Sequence, residues 1–239
     1  KEAEKLYEES IQQSDNPAIL LERIQRVNSP EEINRLYWQW ADYHPEVSTR
    51  ILGAVMDLII KSDQSGVFEI AMQTANNSLK LHPDSDSPYF SKAMLLHKAG
   101  EKKQAIPWYE KALELNPESV IAINNLAWIF CMEEKEYKKA LELANRGLVI
   151  SPNYVDLIDT RGNIYMNMGE YEKAVEDFSR CSKMYFEKDS RCTVSIYLLG
   201  KCLFLLGKKE QAQLELLKAR QQNLLRSEER RVGKECFVP

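Results

Sequence analysis

A short phrase recurs along the chain at a nearly constant distance, and that period restricts the fold more than any other feature. HPDS begins at His82, NPES at Asn116 and SPNY at Ser151; Pro83 and Pro117 lie 34 residues apart, Pro117 and Pro152 35. Similar strings precede them, NNSLKLHP, EKALELNP and NRGLVISP. Self-similarity at this spacing marks a stack of small supersecondary units rather than one folded-over core. Proline cannot continue a helix interior and fits a first helical turn. Each phrase therefore reads as one helix ending and the next beginning, with the proline in the new helix's first turn.

A second break falls inside each period, at HKAGEKKQA, MEEKEYKKA, NMGEYEKAV and LLGKKEQAQ. Gly100, Gly169 and Gly207 stand where a left-handed residue would close a helix, and charged residues suited to a helix start follow at once. One period is then two antiparallel helices joined by a tight turn. The composition agrees: 9 Gly and 9 Pro in 239 residues are too few for turn-rich β architecture, and 44% hydrophobic residues exclude a disordered chain.

These units resemble tetratricopeptide repeats, which place small and large apolar residues at fixed positions in about 34 residues. The matching residues in 86–119 are Tyr89, Ala93, Leu96, Gly100, Ala105, Tyr109, Ala112 and Pro117. In 120–154 they are Leu126, Ala127, Phe130, Tyr137, Ala140, Gly147 and Pro152, with one extra residue in the turn Glu133–Lys135. In 155–188 they are Gly162, Tyr165, Gly169, Tyr171, Ala174 and Phe178, and in 189–225 Gly200, Leu203, Gly207, Ala212, Leu216 and Ala219. Residues 47–85 resemble a degenerate unit, with Gly53, Met56, Ala71, Leu79, Leu81 and Pro83 but a long connection Lys61–Gly66. Residues 1–46 read as an N-terminal helical segment. In it Ser29-Pro30-Glu31-Glu32 makes a helix start, with a cap, a proline at the first position and acids at the positive dipole end. Tyr37, Trp38 and Trp40 are expected in the core. The resemblance implies an all-α fold, a right-handed superhelical solenoid of antiparallel helix pairs. Gly162 and Gly200 cost helix propensity, so they are expected where two helix axes approach closely.

Little in the chain suits chemistry. His44, His82 and His97 share no motif, and no glycine-rich phosphate loop occurs. Five cysteines, Cys131, Cys181, Cys192, Cys202 and Cys236, lack the close pairs of a zinc site and the even count of a disulfide framework. No catalytic residue, cofactor or metal is expected, and no enzyme. The formal charge of -4, with both signs interspersed, excludes a basic nucleic-acid footprint, and no apolar run is long enough to span a bilayer.

What the resemblance implies instead is a non-catalytic protein–protein interaction module, with a peptide or partner protein held on a concave face lined by the first helix of each unit. The inward positions carried over are Phe90, Ser91, Met94 and His97, then Asn124, Asn125, Trp128 and Cys131, then Asp156, Asp159, Thr160, Asn163 and Asn167, then Tyr197, Leu198, Lys201 and Phe204. Asn124, Asn125, Trp128, Asp156, Asp159, Asn163, Tyr197 and Lys201 are the candidate partner-binding residues. Asparagine offers donor and acceptor to a peptide backbone, the aspartates suit a basic group, and the aromatics offer flat apolar contact. The repeats that clamp acidic chaperone tails need Lys where Phe90 and Asp156 stand and Arg where Thr160 stands, so that specificity is not expected. Nor is the asparagine ladder of some glycosyltransferase repeats, because Ser91, Thr160 and Leu198 hold its places. The alternative reading is the substrate-recruiting arm of a larger enzyme, such as a transferase or protease.

Both ends carry further expectations. The chain opens in helix-like KEAEKLYEES without Met, so a fragment is expected, cytoplasmic unless a signal or anchor preceded it. RSEERRVGKEC, Arg226–Cys236, carries four basic and three acidic residues, lacks an apolar face, and resembles a translated sequencing-library adapter. Residues 226–239 are accordingly expected to be an artefactual tail, which would put the protein's own charge nearer -5.

Overall fold

The computed structural model describes residues 14–27, 29–61, 66–185 and 190–235. Among them are twelve helices and no strand: α1 (Pro17–Ile24), α2 (Pro30–Tyr43), α3 (Pro45–Lys61), α4 (Val67–Leu81), α5 (Asp86–Lys98), α6 (Lys102–Leu115), α7 (Val120–Met132), α8 (Tyr137–Ile150), α9 (Val155–Met168), α10 (Tyr171–Met184), α11 (Ser190–Leu205) and α12 (Lys209–Glu235). The fold is all-α, as expected. The helices divide between two compact units, Lys1–Pro117 and Glu118–Pro239.

In the first unit each helix packs on its successor, and α3 also meets α1 and α5. α2 begins as its residues dictate: the Ser29 hydroxyl accepts the Glu32 N–H at 3.3 Å, with Pro30 at the first position. The core gathers Leu20, Ile24, Leu52, Val55, Ile59, Ala71 and Ala75 around Tyr37 and Trp40. Both aromatics are fully enclosed and keep a polar partner. The Trp40 indole N–H donates to the Ser14 carbonyl at 3.1 Å and the Tyr37 hydroxyl to the Ser48 carbonyl at 3.3 Å. Burial pushes the Tyr37 pKa up to about 12. Trp38, expected beside them in the core, is half-buried. Most of the connection Lys61–Gly66 lies outside the described residues.

In the second unit α7/α8, α9/α10 and α11/α12 form the pairs, and α8 meets α9 as α10 meets α11. Small residues permit this. A Cβ added to Gly162 would stand 2.9 Å from the Phe178 ring, and one on Gly200 2.8 Å from Leu216 Cγ, so both glycines mark close crossings within a pair. Gly147 plays the same part between three helices: its added Cβ would lie 2.5 Å from Leu157 on α9 and 2.9 Å from Ile123 on α7. Leu157 and Ile123 are both fully buried, so an added methyl would have to displace packed side chains.

The turns inside each pair close as expected where glycine is present, Gly169 taking φ 78°. The extra residue in the α7–α8 turn changes the solution, and Lys135 takes the left-handed conformation at φ 57°. The prolines depart from expectation. Pro83, Pro117 and Pro152 follow directly on the residues that cap α4, α6 and α8, while α5, α7 and α9 start three residues further on. The capping residues His82, Asn116 and Ser151 sit at φ −132° to −134° and ψ 62° to 87°, off the helical region. Proline forbids the helical conformation to its predecessor, so it ends one helix instead of opening the next. The boundary expected at residue 188 lies outside the described residues. α12 runs to Glu235, ten residues past Leu225, where the apolar spacing ends. Arg, Glu and Lys are good helix formers.

Gly147→Ala is expected to lower Tm by several degrees. Overpacking costs about 1–3 kcal/mol, less the roughly 1 kcal/mol that alanine gains in helix propensity, and each kcal/mol moves Tm about 2–4 °C at this size. Gly53→Ala, where the new Cβ meets nothing within 4 Å, is the matched control and should raise Tm slightly. Equal thermal melts for the two variants would remove the close-approach argument.

Candidate functional site

The first helices of the second unit's pairs, α7, α9 and α11, carry the predicted partner-binding residues. On α9, Asp156, Asp159, Thr160, Asn163 and Asn167 follow helical spacing and share one face. That face does not stand free. Thr160 Oγ1 lies 2.8 Å from Asn124 Oδ1 on α7 and 2.9 Å from the Asp156 carbonyl, two acceptors that share its one proton. Ser195 Oγ on α11 donates to Asp159 Oδ1 at 2.7 Å. Asn167 Nδ2 donates to the Asn163 carbonyl at 2.8 Å and reaches Cys131 Sγ on α7 at 3.8 Å. The three links between helices each join residues 36 apart, so one register repeats along the unit.

The structure therefore brings Asn124, Asp156, Asp159 and Asn163 together and gives most of them internal partners. Asn163 is 6% exposed, and its Nδ2 donates to the Asp159 carbonyl and carboxylate at 2.9 and 3.2 Å. Asp159 is half-buried on the same face. Burial raises its pKa, against the hydrogen bonds from Ser195 and Asn163, which lower it. Asp156 is half-buried and accepts from the Tyr185 hydroxyl at 3.1 Å and from the Arg191 guanidinium, which lies 4.8 Å from the Tyr185 ring centre. Asn125 and Trp128 are half-buried on α7.

Tyr197 and Lys201 do not join this cluster. They follow Ser195 by two and six residues, which turns them to the other side of α11. Tyr197 is 52% exposed and borders a cavity of about 500 Å³ with Val194, Leu216, Ala219 and Arg220, residues of α11 and α12 alone. Lys201 is exposed. Sequence reasoning missed Tyr185, Arg191 and Ser195. The 36-residue offset was the signal that could have found Ser195, because it relates Asp159 to that hydroxyl as it relates Asn124 to Thr160.

On another side of α9, Arg161 makes a bidentate pair with the buried Asp177 of α10, Nε to Oδ2 at 2.8 Å and Nη2 to Oδ1 at 2.7 Å, and also reaches Asn145 of α8 at 3.2 Å. The Asp177 hydrogen bonds raise the Arg161 pKa and keep the guanidinium charged. This pair ties three helices together and faces away from the polar stripe. Among the described residues no group of three or more His, Cys, Asp or Glu could hold a metal ion. Cys131, Cys181, Cys192 and Cys202 are buried and form no disulfide. Burial pushes Cys131 and Cys202 up to about 11 and raises Cys181 further, so these thiols stay protonated. No described helix is long and apolar enough to cross a membrane.

The link between α7 and α9 can be measured by a double-mutant cycle. Thr160→Val alone leaves the Asn124 acceptor unpaired and should cost about 1–2 kcal/mol in denaturant unfolding. Asn124→Ala together with Thr160→Val should cost less than the two single losses added. Strict additivity would show that the hydrogen bond carries no coupling.

Comparison with known proteins follows the same lines. Family models described as tetratricopeptide repeat match residues 88–119, 108–142 and 156–188. Over 106 residues, 44% of this chain and 7% of the relative, the chain is 32% identical to a UDP-N-acetylglucosamine--peptide N-acetylglucosaminyltransferase of Giardia intestinalis. It spans no more than about a third of the length of the curated relatives it matches. Among solved structures, BtubC (BKLC) from P. vanneervenii superposes with TM-score 0.66 at 19% identity, covering 92% of both chains. YrrB, titled a TPR protein with an unusual peptide-binding site, superposes with TM-score 0.61 at 17% identity over 78% of this chain and 91% of its own. The repeat matches fall on α5 to α8 and on α9 to α10, and those residues form tetratricopeptide repeats.

Proposed function

We propose that this chain is a protein-interaction module, and that the first-helix face of α7, α9 and α11 receives an extended peptide segment of a partner protein. Tetratricopeptide repeats are in general non-catalytic modules that bind proteins or peptides, and a scaffold role is what these repeats support. The observation that carries the finer reading is the polar stripe on α9. A helix packed only for stability has no need of five polar residues on one face, and here their mutual hydrogen bonds hold neighbouring side chains in fixed positions. Preorganised polar groups lose little entropy on binding. Asn124, Asp159, Thr160 and Asn163 form the framework. Asn125, Trp128 and Asp156 are the contact residues: amide groups for the peptide backbone, an indole for an apolar side chain, and a carboxylate that a basic side chain reaches beside Arg191. Tyr197 and Lys201 serve the outer side of the last pair.

A second reading keeps one observation behind it. The likeness to part of a much longer transferase suits the substrate-recruiting arm of an enzyme; sequencing the intact gene for a catalytic domain separates the two.

Panning a random peptide library against the full chain supplies a ligand with which to test the face. Asn125→Ala, Trp128→Ala and Asp156→Ala combined should weaken its binding about tenfold or more, near 1.4 kcal/mol. Glu142→Ala with Lys183→Ala, exposed positions on the second helices, should change it less than about twofold. Equal effects from the two sets would overturn the assignment of the face.

A further inference from the structure

The helix pairs of the second unit stack through one kind of contact. α11 lies against α10 by a helical stripe of Cys192, Ile196, Leu199 and Leu203, packed with Ala174, Phe178 and Cys181. Gly200 stands to Leu216 as Gly162 stands to Phe178, so the α11–α12 pair presents the equivalent surface one step further on. That surface is open. α12 packs chiefly on α11, and two hollows of about 500 and 450 Å³ lie along the pair, sharing Leu216 and Arg220. Val194, Tyr197, Phe204 and Leu217 border them and are each more than half exposed.

Spacing and charge say what fits there. Val194, Tyr197, Lys201 and Phe204 recur every three or four residues on α11 and make a ridge about 15 Å long. A helix of about three turns matches it, as α11 matches α10. Lys209 and Arg220 line the hollows, Lys201 stands exposed on the ridge, and no described carboxylate lines either hollow. None of these three cations forms an ion pair with a described residue, and Glu215 of α12 is taken by Lys218 at 2.7 Å. The rim is thus positive on a chain whose net charge is -4. A second copy docked two-fold by the same face would set these cations against one another, which costs affinity. Carboxylates beside an apolar stripe complement them.

We propose that the groove between α11 and α12 binds an amphipathic helix of a partner protein, apolar along one face and acidic on its flanks. Aliphatic side chains of that helix fill the two hollows, and its Glu or Asp side chains pair with Lys201, Lys209 and Arg220. The proposal goes beyond the extended-peptide face: it uses the opposite side of α11 from Ser195, and the two can fail separately.

The probe is dye-labelled acetyl-(Glu-Leu-Ala-Glu-Leu-Leu-Glu)₂-amide, with one matched peptide carrying Lys for every Glu and another carrying Pro for every Ala. By fluorescence anisotropy the full chain should bind the Glu peptide saturably, and the Lys and Pro peptides about tenfold more weakly or worse. Val194→Ser with Phe204→Ser should weaken the Glu peptide about tenfold. Lys201→Glu, Lys209→Glu and Arg220→Glu combined should invert the preference, so that the Lys peptide binds better than the Glu peptide. All these positions are exposed, and matched thermal melts check that the fold is kept. Asn125→Ala, Trp128→Ala and Asp156→Ala combined should leave Glu-peptide binding within about twofold. No saturable binding, equal binding of the Lys or Pro peptide, or an unchanged preference after charge reversal would each overturn the proposal. Loss of binding in the combined Asn125, Trp128 and Asp156 variant would also overturn it, by moving the helix to the α7–α9–α11 face. Sedimentation of the chain alone should show no association that depends on Val194 and Phe204; association abolished by their replacement would give the groove to a second copy and overturn the partner helix.

Discussion

The absence of a methyl group at Gly147 governs much of the second unit. With hydrogen there, α8 lies against Ile123 of α7 and Leu157 of α9 at once; an added Cβ would be 2.9 and 2.5 Å from them. The spacing of the first helices follows from that approach. Only when α7 and α9 stand this near can a threonine hydroxyl on one reach an asparagine carbonyl oxygen on the other at 2.8 Å. Gly162 against Phe178 and Gly200 against Leu216 set the matching distance within the next two pairs. Close packing is thus the cause, and the polar register on the first-helix face is its consequence. Interiors are close-packed and deform little, so an error of one carbon at these crossings is felt across the face.

The same register shows which residues build the face. Asn124, Asp159 and Asn163 spend side-chain groups on neighbouring helices or on their own backbone. Replacing any of them would disturb support as well as contact, and loss of binding in such a variant would not identify a contact. At the last pair the register runs out among the described residues. Asn124 accepts from α9 and Asp159 from α11; Tyr197, on the other side of α11, borders an open cavity beside Leu216. Val194, Phe204 and Leu217 are also more than half exposed there.

How much of this could be read from the chain alone depended on the range of each interaction. The period, the paired helices, the left-handed glycines and the tight crossings at Gly162 and Gly200 are local, and spacing within about 34 residues exposes them. The proline placement was misjudged because two local rules compete at that point: proline fits a first turn, but it also expels its predecessor from the helix, and here the second prevails. Hydrogen bonds between first helices were hidden because they depend on the register of one unit against the next. Asp159 looked like a groove aspartate, and only its distance to Ser195 shows that its carboxylate is engaged. Arg161 and Asp177 looked like ordinary charges for the same reason, although together they hold α9 and α10 with Asp177 4% exposed.

Gly53 shows the limit from the other direction. By position it resembles the glycines at the crossings, and helix propensity alone would call for the same explanation. Its Cβ direction is empty, however, so the glycine costs propensity without permitting closer packing at that point. That open space leaves α3 and α5 with a cleft where the second unit has interlocked polar side chains. Two stretches of the chain thereby present different chemistry on their first helices.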